Sequence, residues 1–242
     1  MKLRVLLVLL VVTVAAAACA APPELRNPSF LNDSSLVDNV PCEAPCWRGI
    51  TPGVTDWGDA LTRLEDDGTL ADLKVESNEE TGEIAATFQR RDGVPCCLVY
   101  SRDGELVDQM LLQLAPSNTL ADVIGNLGEP TYFSGTEVSP EQAAAALFYP
   151  EHQLVVYAFV AGVAEGSISE TSEVFAALYL SETDMQQVLQ TSNLYDWLGY
   201  DSYAAYTARD YDVTPLPTAE GTPESAGEPT GEPNVEATPT EG

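Results

Sequence analysis

The chain has 242 residues, with 38 Asp and Glu against 10 Lys and Arg, one His and five Cys, and a formal charge of −28. Its 45% hydrophobic content is enough for a sizeable core, so no metal is needed to hold a fold together. Nucleic-acid binding draws its affinity from clustered Lys and Arg. None occurs from Asp103 to Ala208, so the charge argues against a nucleic-acid partner.

Lys2 and Arg4 precede the apolar run Val5 to Val14, and small residues then lead to Cys19. That order is a secretory signal peptide over 1–18, since the run is too short to read as a spanning helix. Ala16-Ala17-Ala18-Cys19 resembles a bacterial lipobox, with Ala16 where the motif most often has Leu. The resemblance implies cleavage before Cys19 and acylation of that cysteine, placing the protein in the bacterial cell envelope on the extracytoplasmic side. Ordinary cleavage after Ala18 or Ala20 would instead leave a secreted protein. The cysteine count agrees with acylation: once Cys19 is set aside, Cys42, Cys46, Cys96 and Cys97 can form two disulfides. Residues 19–39, with their Ala-Pro-Pro and Asn-Asp-Ser-Ser stretches, read as a flexible tether.

A folded unit is expected from about Val40 to Tyr211. Its first part, residues 40–113, opens on Gly53-Val54-Thr55 and a helix with Trp57, Ala60, Leu61 and Leu64 on one face, capped by Thr55 and stopped at Gly68. Strands follow at Asp72 to Glu76, Glu83 to Arg90, Cys96 to Ser101 and Glu105 to Leu114, joined by turns at Thr81-Gly82, Asp92-Gly93 and Asp103-Gly104. The second part, 114–211, repeats the start 64 residues later: Thr119, then Leu120, Val123, Ile124 and Leu127, ending at Gly128. Pro140 to Ala145 reads as a short helix, and strands are expected at Leu147 to Tyr149, Leu154 to Ala161 and Glu173 to Leu180. Ser181 caps a further helix with Met185, Val188 and Leu189 inward, and helices finish the unit up to Tyr211. Residues 212–242 hold six Pro, four Gly, six Thr and seven acids with no Lys or Arg, a composition expected to be disordered. The expected fold class is α+β: two tandem repeats of a short helix on an antiparallel β-meander, with a C-terminal helical segment.

Gly53-Val54-Thr55 before a helix and a meander resembles a unit shared by two groups. One is the small lipoprotein of the outer-membrane β-barrel assembly machinery. The other is the secreted β-lactamase inhibitor protein, which has the unit twice. Thr119 matches in the second part, where Ser117 replaces the glycine. The block from Pro45-Cys46-Trp47 to Thr51-Pro52-Gly53 also resembles predicted bacterial lipoproteins. The resemblance implies a fold whose uncovered sheet face binds a protein, and it transfers no binding residue.

No nucleophile accompanies His152, the carboxylates are too numerous to single out a pair, and no loop has the oxygen spacing of a calcium site. Accordingly no catalytic residue, metal or cofactor is expected. Four cysteines allow three connectivities, of which cross-pairing of Cys42 and Cys46 with Cys96 and Cys97 is favoured, since a bridge between the adjacent Cys96 and Cys97 is strained. Trp197, Tyr200 and Tyr203, interleaved with acids, are candidate binding residues; packing of Trp197, Leu198 and Tyr206 on the sheet is the other reading. The function expected is non-catalytic: a membrane-anchored module with an unidentified protein partner at the cell surface. Inhibition of an extracellular hydrolase, or hydrolysis of cell-wall polysaccharide through carboxylates, are the alternatives.

Overall fold

The computed structural model describes residues 24–215; the leader, Cys19 and most of the 212–242 tail lie outside them. Helices form where apolar residues recur every three or four positions, and strands where they alternate or, as in β7 and β8, run unbroken. In chain order these are α1 (Ser35–Asp38), α2 (Trp57–Asp66), β1 (Leu70–Ser77), β2 (Ile84–Arg90), β3 (Cys97–Ser101) and β4 (Gln109–Gln113). Then come α3 (Leu120–Leu127), β5 (Tyr132–Ser139), β6 (Gln142–Tyr149), β7 (Leu154–Ala161), β8 (Val174–Leu180), α4 (Glu182–Thr191), β9 (Tyr195–Asp196) and α5 (Tyr203–Thr207). The strands pair antiparallel in one nine-stranded sheet, ordered β1-β2-β3-β4-β8-β7-β6-β5-β9. The architecture is α+β.

One sheet face is covered. Leu36 of α1, Trp57, Ala60 and Leu64 of α2, Leu120 and Val123 of α3, and Tyr203 and Tyr206 of α5 join a single core with Phe88, Val99, Met110, Leu112, Leu147, Val156 and Tyr179. The other face carries a smaller cluster under α4, where Met185 packs with Phe148, Val155 and Leu180. The polar caps are local. Thr119 and Asp122 form a reciprocal capping box on α3, and Ser181 accepts from the Asp184 N–H at the start of α4. Thr55 does not cap α2: Asp56 holds that position, and Thr55 Oγ1 accepts from the Thr51 N–H at 2.8 Å, tightening the turn before it. Gly53 in that turn has φ +77°, and a Cβ there would sit 3.2 Å from the Ser181 side chain. Only glycine takes this backbone without strain.

Four expectations are corrected. Residues 140–145 are not helical. They belong to the β5–β6 hairpin, where Ala143 and Ala145 are buried while Ala144 and Ala146 are half-buried. Pairing with both β5 and β7 outweighs the helix preference of alanine. Residues 30–36, expected to lie in a flexible tether, belong to the folded unit: Phe30, Leu31 and Leu36 are buried, and Leu31 bridges Leu114 in parallel. The strand expected from Glu105 begins only at Gln109. Residues 102–108 instead form a loop clamped to the start of α2, with Gly53 N donating to Val107 O at 2.7 Å and Trp57 N to Glu105 O at 2.8 Å. The disulfides are local: Cys42–Cys46, with Cα atoms 5.6 Å apart, and Cys96–Cys97, with Cα atoms 3.7 Å apart. The Cys46 N–H donates to the Glu43 carbonyl, a turn that brings the first pair together. Cys96 lies just before β3, so strand alternation does not separate it from Cys97.

Candidate functional site

The register places one cross-strand row on the face opposite the helices. It runs Lys74, Thr87, Leu98, Leu111, Leu178, Val155, Phe148, Tyr132 and Asp196, one residue from each of the nine strands. Only its two ends are charged. The α4 cluster covers Val155 and Phe148 and partly covers Leu178, whereas Thr87 is exposed and Leu98 and Leu111 lie half-buried. Two flanking rows continue the pattern. Ala85, Tyr100 and Gln109 lie on one side, and Gln113, Ala176 and Tyr157 on the other. Across β2, β3, β4, β8 and β7 these rows present apolar, amide and hydroxyl side chains and no charge. In a chain of −28, these rows form a continuous uncharged stretch of sheet face.

Carboxylates sit at its corners. Tyr100 donates to Glu83 Oε1 at 2.8 Å beside a groove of about 300 Å³ that Glu76 and Ala85 also line. The Thr81 hydroxyl first, and Tyr100 second, hold Glu83 below the usual carboxylate range, so this corner stays anionic at neutral pH. Desolvation, then the bond to Glu83, pushes the Tyr100 hydroxyl upward and keeps it a donor. At the opposite corner a groove of about 460 Å³ is lined by Glu24, Glu141, Arg26 and Phe159, with the Arg26 guanidinium 4.1 Å above the Phe159 ring.

The edges of the sheet are blunted. β1 has a register shift between Ala71 and Lys74, with Asp72 in the left-handed region, and alternates charges outward; β9 is two residues long. Both features disfavour strand addition, so contact through the face is the more accessible mode.

The aromatic–acid candidates separate. Tyr203 is buried: its ring fills the space over Gly135, where a Cβ would come within 2.6 Å of it. Trp197 is half-buried, stacks on Tyr206 at 5.9 Å and donates from Nε1 to Glu129, while Tyr200 stands edge-on to it and is partly exposed. Leu198, expected to pack, is 70% exposed, while its N–H donates to the Tyr206 hydroxyl at 2.9 Å. His152 lies in a 3₁₀ turn beside Tyr149. Among the described residues no three His, Cys, Asp or Glu are grouped to hold a metal, and no helix is long and apolar enough to cross a membrane.

Sequence reasoning missed Leu98, Leu111, Leu178, Tyr157 and Phe159. Their alternation was visible, but which strands lie side by side was not. No family model, curated protein or solved structure matches the chain.

Proposed function

We propose that this protein is a lipid-anchored, extracytoplasmic, non-catalytic module that binds a protein partner through the uncharged face of its sheet. The observation that carries the reading is the Thr87–Leu98–Leu111 row, left without a covering element or a charge in a chain of −28 and bordered by Leu178 at the edge of the α4 cluster. Apolar centres rimmed by polar groups are the usual anatomy of a contact surface. The anchor is acylated Cys19. The strand order β1-β2-β3-β4-β8-β7-β6-β5 supports two tandem helix-then-meander units, each α2 or α3 followed by four strands, joined through β4 and β8. Residues 195–207, with α5, form the C-terminal segment of the second unit.

Photo-crosslinking in cells tests the face. A photoreactive residue replacing Leu98 or Leu111 gives one discrete adduct, and the same residue at Gln187, exposed on α4, gives none. Adducts of equal intensity from Gln187, or none from either leucine position, overturn the reading. If the adduct is a hydrolase whose activity the purified protein lowers, the module is an inhibitor.

A further inference from the structure

Cations are scarce, and four of the eight described, Arg26, Arg48, Arg90 and Arg91, gather at one end of the sheet. Arg90 pairs with Leu70 at the end where β4 and β6 meet their last and first residues, Gln113 and Gln142. Arg90 and Arg91 line a groove of about 430 Å³ there, together with Arg48, Asn32 and Thr69. Arg48 is neutralised by Asp67 and lies 3.6 Å from Asp33. The other two are held by backbone carbonyls alone. Arg90 donates to Ser29 O at 3.2 Å and Pro28 O at 3.0 Å, and Arg91 donates to Gly68 O at 2.8 Å. Among the described residues neither forms an ion pair, although acids outnumber bases almost fourfold. Guanidinium groups fixed by neutral acceptors keep their full charge for an incoming anion.

The same end receives the N-terminal segment. Arg26 packs on Phe159 and pairs with Glu173 at 2.9 Å, and the chain then passes along the strand ends to Ser29, whose carbonyl accepts from Val94 N. From Cys19 to Arg26 is seven residues, a reach of at most roughly 25 Å. From β7 to β2 is four strand spacings, about 19 Å. An acyl chain on Cys19 therefore brings the Arg90–Arg91 end within contact distance of the bilayer surface.

We propose that Arg90 and Arg91 form a phosphate site that takes lipid headgroups of the membrane holding the anchor, standing the sheet on that end. The site rests on the lipid-anchor reading above. Acyl chains supply the attachment, and the two arginines supply orientation, which leaves Val54 and the 102–108 loop at the far end and the uncharged face clear of the lipid.

The test uses acylated protein in phosphatidylethanolamine–phosphatidylglycerol vesicles with a nitroxide on the headgroup. A fluorophore is placed by Ser117→Cys near the arginine end, or by Val54→Cys at the other. The label at 117 is strongly quenched and that at 54 is not. Arg91→Gln, and then Arg90→Gln with it, lowers the ratio of docked to undocked protein about fivefold per charge removed. Arg91→Gln alone guards against loosening of the Pro28–Ser29 contacts, and an unchanged melting temperature shows that it folds. Equal quenching at both positions in protein that floats with the vesicles, or quenching indifferent to Arg91→Gln, overturns the site while the anchor reading stands. Protein that neither floats nor carries acyl mass overturns the anchor reading. Titration with soluble short-chain phosphatidylglycerol and with inorganic phosphate then decides the groove. Arg90 and Arg91 Nε–H resonances that shift with soluble short-chain phosphatidylglycerol support the lipid site, resonances that shift with inorganic phosphate but not with that lipid make it a free-phosphate site and overturn the membrane source, and no shift with either overturns the site altogether.

Discussion

The two faces of this sheet are built from the same strands and yet meet different surroundings. On one, Cys97, Val99, Met110 and Leu112 vanish under helices and the N-terminal segment; on the other, Leu98, Tyr100, Leu111 and Gln113 alternate with them and stay half-buried. Side-chain hydrophobicity does not separate the faces, because Leu111 is as apolar as Leu112. Coverage does, and coverage is decided by where the helices between the strands fall. The open face then differs from ordinary surface in what it lacks, namely charge.

The covered face should dominate stability. Trp47 is fully buried, stacks on Phe88 with centroids 5.9 Å apart, and donates from Nε1 to Asp33 at 3.0 Å. Trp47→Ala is expected to cost about 3–5 kcal/mol, read as a lower urea midpoint at unchanged slope. A loss below about 1 kcal/mol would mean that the Asp33–Trp47–Phe88 region is not part of the core, and the distinction between the faces would fail at its strongest point.

The disulfides fasten turns on the covered side without bridging distant segments. A link across about fifty residues would remove roughly 4 kcal/mol of loop entropy from the unfolded chain, and one closing only Cys42 to Cys46 removes about 2 kcal/mol. Cys42→Ser with Cys46→Ser is therefore expected to cost about 2 kcal/mol by urea unfolding. Peptide mapping under non-reducing conditions gives the independent check: Cys42 and Cys46 appear in one bridged fragment and Cys96 with Cys97 in another.

Much of the frame was legible in residues. The helix from Trp57 declares itself by spacing, those from Leu120 and Ser181 by spacing and caps, and β7 by its unbroken apolar run. The β5–β6 hairpin was hidden because four alanines carry no period of their own; only neighbours on both sides make them strand. Residues 30–38 looked like linker for a similar reason. Phe30, Leu31 and Leu36 are too few to show a pattern, and they bury themselves in a cleft that other segments create. The open face was out of reach for a stricter reason. Leu98, Leu111 and Leu178 form one row only through the β4–β8 pairing, which joins residues about 70 positions apart.

A pH titration sharpens the contrast between the covered face and the acidic rim. Asp67 sits partly buried, where hydrogen bonds from Thr69 and the charge and hydrogen bond of Arg48 outweigh its desolvation and hold its carboxyl below the usual range. A carboxylate depressed in the folded state contributes stability that is present above its unfolded value, about 3.9, and is lost as the pH falls through the folded value. Melting temperature should therefore drop below about pH 4, and Asp67→Asn should flatten part of that drop while lowering stability at neutral pH. An unchanged profile would show that the Arg48–Asp67 contact is not maintained in solution.

The smallest effect on stability is the most informative about function. Leu111 lies at the centre of the uncharged row, between Leu98 and Leu178, with Gln109 and Gln113 two residues away on its own strand and the same face. Leu111→Gln extends that amide stripe without adding charge or emptying the core, so its cost should stay within about 1 kcal/mol. Leu112→Ala, one residue along and facing the helices, should cost about 2–5 kcal/mol. If the row is a contact surface, Leu111→Gln abolishes the adduct formed from a photoreactive residue at Leu98 while melting near the parent temperature. Leu112→Ala melts lower yet keeps the adduct wherever it remains folded. Neighbouring residues that exchange their effects in this way separate binding from folding more cleanly than either variant alone. The opposite pattern would make the half-buried leucines ordinary surface and the uncharged face a consequence of composition.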